Sequence, residues 1–93
     1  MDTNDIRTSE EKPGGKAVTL SKHAVRAMYN ERPPVSVEQV ARTLASPDLL
    51  QRAGLRRAAW RRFGARYVIV RYLETEEEYD VRTVSCARQR PAL

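Results

Sequence analysis

The 93-residue chain has one cysteine, Cys86, one histidine, His23, and only four glycines. A lone thiol closes no internal disulfide and has no second thiol with which to build a zinc site, a usage that suits a reducing compartment. No cluster of carboxylates and histidines suggests a metal, no glycine-rich loop suggests a phosphate cradle, and no serine or cysteine has an evident partner base. The expectation is a protein with no cofactor and no bound metal. No apolar run approaches the ~18 residues that span a bilayer. The polar start also lacks the basic-then-apolar order of a signal peptide, so the expected location is the cytoplasm, away from membranes.

One further absence is local. Between Leu49 and Leu73 there is no Asp or Glu, while Arg52, Arg56, Arg57, Arg61, Arg62, Arg66 and Arg71 all fall inside. The acids come immediately afterwards, at Glu74, Glu76, Glu77, Glu78 and Asp80. The whole chain carries 17 Lys and Arg against 12 Asp and Glu, a formal charge of +5, which favours a polyanionic partner. Arg is the apt residue for that partner, because its planar fork grips phosphate and stacks on bases. A solvated arginine-rich surface gives the same composition, so position has to decide.

Residues 1–18 hold a Pro13-Gly14-Gly15 breaker and little to bury, and are expected to form a disordered tail. The remainder, 19–90, reads as a single domain. Ser21 is a good N-cap for a first helix whose stripe is Ala24, Val25, Met28 and Tyr29, ending near Arg32-Pro33-Pro34. Ser36 and Gln39 make a capping box for a second, with Val37, Val40, Ala41, Leu44 and Ala45 on one face and Ser46-Pro47 as its stop. Beyond Pro47 the period shifts toward two, with turn signals at Gly54 and Gly64. Four strands are predicted, Leu49 to Ala53, Leu55 to Phe63, Arg66 to Leu73 and Tyr79 to Ala87. The fold class expected is α+β, two N-terminal helices on a four-stranded antiparallel meander.

A hairpin turn at Gly64-Ala65 pairs Arg62 with Tyr67, Trp60 with Ile69, Ala58 with Arg71 and Arg56 with Leu73. Ala59, Val68 and Val70 then make the face on which the helices dock, with Arg57, Arg61 and Arg66 emerging at its edges. The open face carries Arg56, Trp60, Arg62, Tyr67 and Arg71. Arg71 sits mid-strand opposite a small Ala58, with room to receive a phosphate or, equally, a salt bridge to the acidic loop. Arg82 depends on the register of the last strand, where a slip of one residue changes its face. Trp60 and Tyr67 could stack bases or simply cover sheet surface. His23, in the first turn of a helix, is kept neutral by the helix dipole and could act as a base, although Arg26 and Asn30 on the same side indicate solvent.

The segments "SKHAVRAM" (21–28), "VSVEQVARTLASPD" (35–48) and "RRFGARYVIVRYLETEEEYDVRTV" (61–84) resemble a bacterial and phage family of small domains that opens with a Ser-x-His-Ala helix. That family is grouped with the BrnT and RelE ribonuclease toxins. The resemblance spans most of 20–88 and implies a RelE/BrnT-like fold, metal-independent cleavage of RNA, and an acidic antitoxin protein over the basic cleft. Lys22-His23 is similar to the Lys-His pair that begins a helix in BrnT-like toxins, and Arg71 and Arg82 fall at late-strand positions of catalytic cations. Where the family has an Arg four residues after the His, this chain has Ala27, with Arg26 one place earlier.

The expectation is therefore a toxin-like endoribonuclease in which a ribose 2′-hydroxyl attacks the adjacent phosphorus. Arg71 and Arg82 would stabilise charge, and His23, Tyr67 or Glu74 would move the proton. Lys22, Arg26, Arg56, Arg57, Trp60, Arg61, Arg62 and Arg66 would contact RNA. The alternatives are a non-catalytic RNA- or ribosome-binding module and a protein-interaction domain.

Overall fold

A computed structural model describes residues 16–91, together with the backbone of a short strand at 6–8. The chain runs β1 (Ile6–Thr8), β2 (Ala17–Leu20), α1 (Lys22–Asn30), α2 (Val37–Ala45), β3 (Leu49–Ala53), β4 (Arg56–Phe63), β5 (Arg66–Glu74) and β6 (Glu78–Ala87). Both helices begin where their caps predict. The Ser21 hydroxyl accepts from the Ala24 amide, and Ser36 and Gln39 form the reciprocal capping box. Gly54 and Gly64 turn the β3–β4 and β4–β5 hairpins at φ of 62° and 65°, a region that strains residues with a side chain and costs a glycine almost nothing.

The strands form one mixed sheet in the order β1-β2-β6-β5-β4-β3. This corrects the four-stranded antiparallel meander. Strands β3 to β6 do meander, but β2 adds to β6 in parallel, pairing Ala17 with Glu78 and Leu20 with Val81, and β1 adds antiparallel to β2. A parallel neighbour needs a crossover, and here α1, α2 and three strands supply it. Residues 17 and 18, assigned above to a tail, thus belong to the sheet, and Val18 is fully buried. The rest of that tail, apart from the backbone of β1 and Lys16, lies outside the described residues.

The helices cover one face of the sheet. Ala24 and Met28 of α1 and Val40 and Leu44 of α2 pack with Val18, Leu20, Val68, Val70, Val81 and Val84, all buried. Burial of a side chain of this size contributes about 1.5–3 kcal/mol, so this layer holds the domain together. The register of β4 on β5 is the one that the Gly64 turn predicts, from Arg56 opposite Leu73 to Phe63 opposite Arg66. Among the described residues, no helix is long and apolar enough to cross a membrane.

Candidate functional site: an arginine-lined depression

Strand alternation sorts the arginines. Gln51, Ala58, Arg71 and Thr83 form one row across the uncovered face, and Ala53, Arg56, Leu73 and Asp80 form the next. A depression of about 690 Å³ lies over these rows, with Arg52, Arg57, Tyr72 and Arg82 completing its lining and, among the described residues, no carboxylate in that lining. Arg52 and Arg57 stand between the rows, so their side chains leave toward the helix-covered face. The guanidinium groups that belong to the depression are those of Arg56, Arg71 and Arg82.

Arg82 reaches this face through an irregularity. Tyr72 pairs with Val81 but Arg71 pairs with Thr83, so β6 carries an extra residue opposite β5. Such a bulge puts two successive side chains on one face. Arg82 and Thr83 therefore both border the depression, and the position of Arg82, uncertain from alternation alone, is settled by the bulge. Arg82 lies 3.7 Å from Asp80, an exposed and loose contact at the rim. Arg71 donates to the Ser85 hydroxyl at 3.1 Å, which holds the guanidinium in place without neutralising it. Arg56 is exposed, and its side chain makes no hydrogen bond or ion pair among the described residues. Gln51 accepts from the Trp60 indole at 2.8 Å through its oxygen, which leaves its amide NH₂ free to donate.

Four other arginines of the sheet are committed elsewhere. Arg57 donates to the Gly54 carbonyl at 2.6 Å. Arg61 donates to the Ser46 carbonyl at the end of α2 at 2.9 Å and lies over the Phe63 ring. Arg62 donates to the Gly64 carbonyl at 2.9 Å, and Arg66 clamps the carbonyls of Pro33 and Pro34 between the helices. These four hold turns and helix ends to the sheet. Trp60 is only 6% exposed and meets Tyr67 edge-on, so its ring covers sheet surface and is not open to a base.

The proton-transfer candidates do not gather at the depression. His23, Lys22 and Arg26 are exposed on α1, in the layer on the opposite side of the sheet from Arg71. Tyr67 is four residues from Arg71 along β5, on the order of 13 Å, and its hydroxyl accepts from Arg90 at 3.1 Å. Glu74 is paired with Lys16. Tyr72 has its phenol pushed up by burial, with Glu74 adding to the effect, so it stays protonated and is no base at neutral pH.

Gln51, Thr83 and Ser85 escaped the sequence reading. The signal for Gln51 was its place opposite Ala58, while Thr83 and Ser85 needed the bulge. No group of three His, Cys, Asp or Glu able to hold a metal occurs among the described residues. Comparison with family models, with curated proteins and with solved structures returns no match.

Proposed function

We propose that the protein is a non-catalytic RNA-binding module that holds phosphate on the open face of its sheet. The observation that carries this reading is the convergence of Arg56, Arg71 and Arg82 on one depression, with Asp80 at its rim as the one acid beside them among the described residues. Charged, forked donors of this kind are the usual means of gripping phosphate, and contacts to phosphate fix position without reading sequence. The choice of RNA among polyanions rests on the motif resemblance, and the cytoplasm is the compartment in which such a module would meet it. Cleavage would need a free proton acceptor beside the arginines; His23 lies in the layer across the sheet, Tyr67 is bonded to Arg90, Glu74 is paired with Lys16, and Asp80, the carboxylate beside Arg82, is held in its ion pair.

The test is fluorescence anisotropy of a labelled single-stranded RNA in EDTA, with the RNA afterwards resolved on a denaturing gel. Binding should weaken with salt, with a log–log slope near −0.7 for each phosphate contacted. Arg71→Ala should lower affinity by about tenfold, the effect of one charged hydrogen bond of ~1.5 kcal/mol. RNA recovered intact fits a binder. Cyclic-phosphate products that disappear with Arg71→Ala would restore the nuclease, and no binding at low salt would reject both.

A further inference from the structure

A surface that tracks a running RNA chain needs cations spread along it, and here the arginines of β4, β5 and β6 that are not tied to backbone carbonyls among the described residues are concentrated at one place. Arg61, Arg62 and Arg66, at the Gly64 end of the sheet, are each bonded to backbone carbonyls. Among the described residues, Arg56, Arg71 and Arg82 are bonded to no backbone carbonyl, Arg71 touching a serine hydroxyl and Arg82 the rim carboxylate of Asp80, and they come from three adjacent strands. Residues on neighbouring strands two places out of register sit about 7–8 Å apart, so these long side chains can meet on one group.

The charge of three guanidinium groups also exceeds what a chain-internal phosphate can balance. A phosphodiester offers one negative charge and two free oxygens. A terminal phosphate carries about −1.5 to −2 charges at neutral pH and three acceptor oxygens. The Thr83 hydroxyl and the Gln51 amide add uncharged donors beside the three guanidinium groups. The floor is apolar, with Ala53, Ala58 and Leu73, and a volume of about 690 Å³ is within the range of sites for compact ligands. Apolar floor and cationic rim together suit a nucleoside lying against Ala58 with its phosphate at the bulge.

We infer that the depression is a terminal-phosphate site, taking the phosphorylated end of an RNA or a free nucleotide in preference to phosphates within a chain. For the RNA case this rests on the reading proposed above.

The experiment compares one short RNA in three forms, with a 5′-phosphate, with a 3′-phosphate and with neither, and uses adenosine monophosphate as a competitor. A phosphorylated end should bind at least about tenfold tighter than the unphosphorylated chain. Arg82→Ala and the near-isosteric Thr83→Val should each shrink that ratio, with thermal melts confirming that both variants fold. Equal binding of all three RNAs would overturn the terminal-phosphate site and leave the RNA surface standing. Direct binding of adenosine monophosphate, followed by calorimetry, with no binding of any RNA would support the site and reject the RNA reading. Failure of every ligand to bind would overturn both.

Discussion

Arg66 and Arg71 lie on the same strand, five residues apart, and their surroundings give them opposite roles. Arg66 is half-buried and spends its guanidinium on two proline carbonyls, whereas Arg71 is exposed and, among the described residues, its guanidinium bonds only a serine hydroxyl. Arg66→Ala should therefore cost about 1 kcal/mol of stability in a urea titration, the net worth of a typical hydrogen bond, and change RNA affinity less than twofold. Cys86 gives a second check at this scale. Burial pushes its thiol up to about 11, with the nearby Arg66 opposing the shift and the Glu31 carboxylate adding to it. The neutral thiol is favoured by the fold, so alkylation at pH 7.5 should be slow and should quicken about tenfold per pH unit toward 10, whereas urea-unfolded protein should react faster at neutral pH. The same sign means that this group's contribution to stability is intact below pH 9 and is lost as pH rises toward 11.

Among the elements, β2 matters most and was the hardest to read. Its four residues are buried nearly throughout, with Val18, Thr19 and Leu20 at 0%, 3% and 0% exposure. An interior strand covered on both faces shows no alternation, and next to Gly14-Gly15 and Lys16 this one passes for the end of a tail. Leu20→Ala should destabilise by about 3 kcal/mol, since an emptied core site costs 2–5 kcal/mol, and a denaturant midpoint would measure it. The helices were readable because caps and periodicity agree, with Ser21 and Ser36 placed where the apolar stripes begin. The β4–β5 hairpin was readable because a glycine with positive φ fixes its turn. The bulge at Arg82 was not, because the extra residue in "EYDVRTV" switches the faces of the later β6 residues without any local mark of its own.

For the molecule as a whole, the charge imbalance was visible in the sequence and its working part was not. Seven arginines share an acid-free stretch, yet which of them stay free is decided by carbonyls that the fold brings from Pro33, Ser46, Gly54 and Gly64. Binding should accordingly report few phosphates. The salt slope of the wild type should lie between about −0.7, for one phosphate held by all three guanidinium groups, and about −2, for three phosphates held singly, and Arg71→Ala should make it shallower. A slope much steeper than −4 would mean that the exposed cations of α1 take part as well.

The parallel contact between β2 and β6 also governs how the domain can be made. Thr19 hydrogen-bonds Glu78, 59 residues further along, and Ser21 bonds the Arg82 carbonyl, 61 residues away. Pairings this distant close a long loop before they return any stability, which places folding in the slower, millisecond-to-second class. During synthesis β2 has only the short β1 to pair with, and α1 has no strand to rest on, until β6 has left the ribosome. For most of its synthesis, the apolar side of α1 has nothing of its own to cover it.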